Sequence, residues 1–281
     1  MRNEPRSAGP GRGFRPARRG VWLLLIVGAV LVATAAVLLL LLLRQGQKEL
    51  ATLLVPEGRR AAQVYTTVDR ALDEKAGTTA KVARTAGLRL PAEAGGNPEG
   101  YLFPATYPID EDATPTSMLG YMVDTANKRL GADRMSDGAR HSGVTVYQAV
   151  VIASIVQAEA DTPEDMGKVA RVVYNRLAKG MPLQMDSTLN YALNRSTLDT
   201  TAADTRIDSP YNSYRRRGLP PTPIGNPGDQ ALHAAITPTP GDWLYFVTVA
   251  PGDTRFTASY EEHRRNVEEF NARRRGASGG G

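Results

Sequence analysis

The chain has 281 residues, no cysteine, three histidines and a formal net charge of +5. Without thiols it can form no disulfide, thiolate metal site or thiolate nucleophile, and His141, His233 and His263 are too scattered to read as a metal-ligand set. Six arginines and Glu4 leave the first 20 residues at +5, so the rest of the chain is formally neutral and the charge gives no support to nucleic-acid binding.

Residues 1–20, rich in Arg, Gly and Pro, are expected to form a disordered tail. Residues 21–43 carry no charge, and only Trp22 and Thr34 are mildly polar. As a helix this run is about 35 Å long, enough to span a bilayer core with some tilt. A cleaved signal peptide would have an apolar core of roughly 7–15 residues followed by small residues; this run ends in six leucines and Arg44. The reading is an uncleaved, single-pass membrane anchor. Arginines at 2, 6, 12, 15, 18 and 19, against only Arg44 and Lys48 shortly after the span, place the N-terminus in the cytoplasm and residues 44–281 outside.

A short link, 44–50, leads to a small α+β module over 51–97. In it Leu53-Leu-Val-Pro-Glu-Gly58 reads as a strand closed by a turn, 61–75 as a helix and 78–86 as a second short helix, with a Pro/Gly break at 91–98. The main domain, 98–275, opens with Glu99-Gly-Tyr-Leu-Phe-Pro-Ala-Thr-Tyr107, expected to be a packed strand and loop. An amphipathic helix is predicted over 116–130. Thr145 with Gln148 caps the next helix, and Thr162 caps another that has Pro163 at its first position and Gly180 past its end. A strand over 243–249 turns at Pro251-Gly-Asp253 into a partner at 254–257. Ser259 with Glu262 caps a last helix ending near Arg275, and 276–281 form a flexible tail. The expected fold class is α+β, the main domain mainly helical with one small sheet.

The chemistry centres on Glu159, in Ala153-Ser-Ile-Val-Gln-Ala-Glu159. Residues 144–156 are almost wholly apolar, and Ile152, Ile155 and Val156 share the helical face of Glu159. A carboxyl at the end of an apolar stripe is costly to ionise, so its pKa rises, as a general acid working near neutrality requires; a buried structural glutamate has the same signature. The segments that follow, holding Gln184, Asp186, Ser187, Thr188, Tyr191, Tyr211, Asn212 and Tyr214, are loop-like, dense in hydroxyls, amides and tyrosine and stiffened by proline. Singly these are turn and cap residues; together they suit a sugar, with its hydroxyls and apolar C–H faces. No phosphate loop and no Gly-x-Ser-x-Gly elbow is present, and no cofactor is implied.

The sequence resembles the MltG/YceG family of membrane-anchored endolytic murein transglycosylases. The resemblance rests on Val55-Pro-Glu-Gly58, Glu99-Gly-Tyr-Leu-Phe-Pro104, Ala153-Ser-Ile-Val with Glu159, Val173-Tyr-Asn-Arg-Leu177, Leu183-Gln with Asp186-Ser-Thr188, Ser209-Pro-Tyr-Asn212, Gly218-Leu-Pro-Pro221 and Leu244-Tyr-Phe-Val247, in that order over about 230 residues. It implies that the 51–97 module is LysM-like and that 98–275 is a catalytic domain cutting nascent peptidoglycan strands, with peptidoglycan synthases as candidate partners and Glu159 as the catalytic acid. Many members carry a second acid where this chain has Gln157, and Thr222 stands where relatives often have Gly. The expected mechanism closes the muramoyl C6 hydroxyl onto C1, with Glu159 as acid and then base and with Gln184, Asp186, Ser187, Thr188, Tyr191, Tyr211, Asn212 and Tyr214 holding the sugars. A muramidase using Asp186 as base and a non-catalytic wall-binding scaffold remain the alternatives.

Overall fold

The computed structural model of the protein describes residues 18–45, 51–195 and 200–278. It divides into two compact units, Met1–Leu50 and Ala51–Gly281. The first contributes α1 (Arg18–Gln45). Residues 18–20, assigned above to the tail, are helical, because nothing at Arg18, Arg19 or Gly20 stops the helix that the apolar run propagates. Side chains at 25–39 are all exposed, and Thr34, the polar one among them, donates its hydroxyl to the carbonyl oxygens of Val30 (2.8 Å) and Leu31 (3.0 Å). Among the described residues no helix is long and apolar enough to cross a membrane. Positions 1–17 of the expected tail, 46–50 of the link and the last three residues lie outside the described residues.

The second unit runs β1 (Ala51–Leu54), α2 (Ala61–Ala71), α3 (Thr78–Val82), a single 3-10 turn (Ala92–Ala94), β2 (Thr106–Ile109), α4 (Pro115–Leu130), α5 (Asp133–His141), α6 (Val146–Glu159), α7 (Pro163–Ala178), α8 (Asp186–Ala192), α9 (Asp229–Ile236), β3 (Tyr245–Ala250), β4 (Asp253–Thr257) and α10 (Tyr260–Ser278), with a 3-10 turn at Asp204–Arg206 before α9. It is α+β and mainly helical, with two antiparallel pairs where one small sheet was expected in the main domain. β1 pairs with β2, Ala51 opposite Ile109 and Leu54 opposite Thr106, so this ladder crosses the expected boundary at 97/98. β3 pairs with β4 from Tyr245 opposite Thr257 and is irregular between Thr248 and Ala250.

Three helices escape the periodicity of the sequence. α5 buries only Met135 and Ala139, too few for a stripe to show. α8 lies in the segment read above as loop; its hydroxyls and amides mask about two turns of helix pinned by buried Leu189. α9 is short and alanine-rich, and it is held by packing on α6 and α7 more than by any cap. At the other end, α10 continues through Ser278 into the expected flexible tail. Its capping pair is half formed: Ser259 Oγ accepts from Glu262 N at 3.3 Å, but the Glu262 carboxylate accepts from Thr257 Oγ1 at 2.7 Å.

The core is built around α6. Thr145 and Gln148 close the capping box at its start, and positions 149–156 are at most 2 % exposed all round the helix, so it has no solvent face over that stretch. Helices α5, α7 and α9 surround it. The Pro-rich segment is tied to it by Ile224 N, which donates to Ser154 Oγ at 3.0 Å, and by Gly228 N, which donates to Gln157 Oε1 at 3.0 Å. Gly100, at φ +86°, completes this packing: a Cβ there would lie 2.5 Å from the Pro223 ring and 3.0 Å from Val150. Burying eight consecutive residues gives α6 its position, and that position fixes where Glu159 emerges.

Candidate active site around Glu159

Glu159 is the last residue of α6, where the chain turns extended at Ala160 (φ −143°, ψ 140°). The helix before it is buried, and Glu159 is a half-buried residue. Its Oε1 accepts one hydrogen bond, from Ser187 N at 3.2 Å. Burial pushes its pKa above the ordinary glutamate range, and the nearby Asp186 charge adds to this against the opposing Ser187 contact. Beside that contact the Ser187 hydroxyl is buried and unpaired. The arrangement is therefore a carboxyl that holds its proton nearer neutrality and keeps acceptor capacity free.

Asp186 and Ser187 open α8, and Asp186 accepts from Tyr214 Oη at 2.5 Å. Burial, then Asp186 and Glu159, raise the Tyr214 pKa, so its phenol stays protonated and donates. Farther along α8, the Tyr191 ring lies 4.9 Å from Tyr211, and Tyr211 Oη shares a 2.8 Å hydrogen bond with Thr222 Oγ1. Thr222, where relatives often have Gly, thus touches a predicted sugar-holding residue. Gln184 is exposed and sits at φ +54°, its Oε1 accepting from Arg176 Nη1 at 3.0 Å.

Two predicted residues are placed behind this surface. Thr188 is fully buried, its hydroxyl bonded to Met185 O (2.7 Å) and Ser213 Oγ (2.8 Å). Asn212 is fully buried as well; its amide donates to Thr205 O and Ile207 O and its Oδ1 accepts from Tyr214 N. Both are saturated within the protein and have no polar atom left for a sugar, so the contact expected of them is replaced by a supporting one. Two concavities of the second unit, one around Arg134, His141 and Tyr174 and one around Tyr147, Leu219 and Pro221, include none of the predicted site residues.

Sequence reasoning passed over three residues that shape the site. Arg176 on α7 is 5 % exposed and pairs with no carboxylate among the described residues; it donates to Leu244 O (2.6 Å), Pro182 O (3.0 Å), Leu183 O (2.8 Å) and Gln184, pinning the segment that leads into α8. Asn226, fully buried, accepts from Leu102 N at 2.8 Å and donates to Arg59 O at 2.7 Å. Glu99, 4 % exposed, is pushed up to about 7 by burial against the lowering effect of its donors and Arg60. The signal for Glu99 and Arg176 was their place beside apolar and aromatic residues, where a charge needs a partner; Asn226, between Gly225 and Pro227, gave none. Among the described residues no three His, Asp or Glu side chains gather as a metal-holding group.

With this geometry in place, comparison with known proteins is specific. Residues 33–269 match the YceG-like family, and the chain belongs to it. Among curated relatives, an "Endolytic murein transglycosylase" of Bacillus subtilis (strain 168) is 38 % identical over 173 residues, 61 % of this chain and 48 % of the relative. A protein of the same name from Streptococcus pneumoniae D39 is 36 % identical over 247 residues, 78 % of this chain and 44 % of the relative. The chain thus spans about half the length of the curated relatives it matches. The crystal structure of a putative yceG-like protein from Listeria monocytogenes superposes with a TM-score of 0.70 at 30 % identity, covering 79 % of this chain and 77 % of that one.

Proposed function

We propose that the protein is a peptidoglycan lytic transglycosylase that cuts within glycan strands between N-acetylmuramic acid and N-acetylglucosamine. The observation that carries this reading is Glu159: a carboxyl of raised pKa on a half-buried residue, with a single backbone donor, at the end of a helix that is buried all round over 149–156. The name borne by the relatives from Bacillus and Streptococcus, endolytic murein transglycosylase, agrees with it.

In the proposed reaction the Glu159 proton passes to the glycosidic oxygen as the bond to C1 breaks. The resulting carboxylate takes the proton of the muramoyl C6 hydroxyl, whose oxygen bonds to C1. The proton count closes with no water consumed, and one carboxyl serves as acid and base, so the second carboxylate of an ordinary glycosidase is not needed. Asp186, already accepting from Tyr214, is held in place to meet positive charge developing at C1. Gln184, Ser187, Tyr191, Tyr211 and Tyr214 offer amide, hydroxyl and ring surfaces to the sugars, while Thr188 and Asn212 brace them. A hydrolytic alternative has one supporting observation, the closeness of Asp186 to Glu159, which would let it activate water.

The same reading takes residues 21–43 as a membrane anchor with the second unit outside the cell. The uncharged run and the flanking arginines support it, as does the internal bonding of the Thr34 hydroxyl, the arrangement a polar group needs in hydrocarbon. It takes the first part of the second unit as a LysM-like wall-binding module; two helices set between the antiparallel strands β1 and β2 support this, with the closing strand lying past residue 97. Newly made strands near the membrane, and the synthases that make them, are then the natural substrate and partners. The test is to incubate full-length protein with un-crosslinked glycan strands and follow their length: the wild type shortens them and Glu159→Gln does not, whereas equal shortening by both would refute the assignment.

A further inference from the structure

We propose that Glu99 is a positioning residue that fixes the sugar-facing ring of Tyr191 and ties it to the turn between β1 and α2, so that glycan affinity depends on both parts of the fold. The proposal rests on the proposed function for its substrate and on geometry for everything else. Glu99 collects three donors from three places. Its Oε1 accepts from Ala61 N (2.8 Å), one of the orphan amides at the start of α2, and from Asn226 Nδ2 (3.3 Å); its Oε2 accepts from Tyr191 Oη (3.1 Å) on α8. Arg60, next to Ala61, holds its guanidinium 5.2 Å from the centre of the Tyr191 ring and donates to Arg195 O just after α8. Asn226 closes the circuit: it bonds the backbone of Arg59, while Gly58 N donates to Asn226 O. Gly225 lets the two segments meet, since a Cβ there would lie 2.9 Å from Gly58 O.

A carboxylate only accepts, and three donors face it, so the ionised form satisfies the cluster best. Among the described residues Arg60 is the charge that faces it, and Tyr65 on α2 and Tyr191 on α8 are the titratable groups. Burial works against ionisation, and the carboxyl titrates at about 7. Protonation replaces a charge-assisted bond to Tyr191 with a neutral one and removes the attraction to Arg60, which loosens the ring from both sides.

The test uses the full-length chain carrying Glu159→Gln, so that strands are bound and not cut. Affinity for un-crosslinked glycan strands is measured across the neutral range, with and without Glu99→Gln, and the ring-carbon resonance of Tyr191 is followed in the same proteins after assignment by Tyr191→Phe. With Glu99 present, binding is about three- to tenfold tighter above neutral pH than below it, the scale of one strengthened hydrogen bond, and the Tyr191 resonance moves over the same interval. Glu99→Gln holds the weaker affinity and an unmoving resonance at every pH. Tyr191→Phe, which keeps the ring and removes the donor, is the second variant should Glu99→Gln misfold, and it gives the same pH-independent weakening. Affinity and resonance in Glu99→Gln that match those of Glu99 overturn the proposal. Strands that bind no variant, with a Tyr191 resonance that still titrates through Glu99, would overturn the proposed function while upholding the tie.

Discussion

Glu159 and Glu99 are both carboxyls pushed above the ordinary glutamate range by burial, and both touch α8, one at Ser187 and the other through Tyr191. Their partners differ. Glu99 is 4 % exposed and receives three donors, whereas Glu159 is half-buried and receives one. A raised pKa therefore does not by itself mark a reactive group. The difference is unused hydrogen-bonding capacity, which of the two only Glu159 retains, on a residue that is half-buried where Glu99 is buried. Saturation makes Glu99 a strut; the open lone pairs at Glu159 can exchange a proton with something bound.

The sharpest way to break this contrast is substitution at the open end. Glu159→Gln should lower strand cleavage by about 10²–10⁴-fold, the usual contribution of a general acid–base group, with thermal stability unchanged or higher by calorimetry. A drop in stability with cleavage retained would make Glu159 a second strut. In the wild type, cleavage should decline as pH rises through the raised Glu159 pKa, because the proton to be donated is lost, so the alkaline limb lies above the ordinary glutamate range.

At the saturated end, Gly100→Ala tests the backbone beside Glu99. The positive φ and the approach of Pro223 to 2.5 Å predict a loss of about 3 kcal/mol or more, combining strain with overpacking; chemical denaturation would show it. A loss of similar size comes from pH. The folded pKa of Glu99 lies above its unfolded value, so the native state binds the proton more tightly, and stability is highest below the ordinary glutamate pKa and falls as pH rises to about 7. The fall should amount to at most about 3.5 kcal/mol, from roughly 1.4 kcal/mol per unit, and Glu99→Gln should remove this share, leaving the smaller fall that the raised Glu159 carboxyl contributes. A wild-type curve flat through this interval would mean that Glu99 is not held as described.

Smaller effects sharpen the picture. Tyr214→Phe removes the donor to Asp186 and should weaken strand cleavage by about tenfold, leaving the Glu99 slope untouched. Arg89→Ala, which breaks an exposed pair with Asp124, should change stability by less than about 0.5 kcal/mol and activity not at all.

The sequence made Glu159 legible because an apolar run ending in a carboxyl is rare and its helix is long and capped. It exposed Gln184, Asp186, Tyr191, Tyr211 and Tyr214 as a group because tyrosines, hydroxyls and amides are dense there. It could not separate Thr188 and Asn212 from that group, since a polar residue bonded inward and one facing a ligand look alike until the partners are seen. α8 was hidden for the same reason, its helicity set by burial of Leu189 and not by propensity. Glu99 stood within a quoted motif, yet its partners lie 38, 92 and 127 residues away, beyond any local pattern. The β1–β2 pairing across the 97/98 boundary is long-range in the same sense.

The most direct test is the chemical identity of the new strand ends, read by mass spectrometry after full-length wild type and Glu159→Gln act on un-crosslinked glycan. Muramoyl ends one water lighter than the hydrolytic product are expected with the wild type and not with Glu159→Gln. Ordinary reducing ends, or anhydro ends that persist with Glu159→Gln, would contradict it.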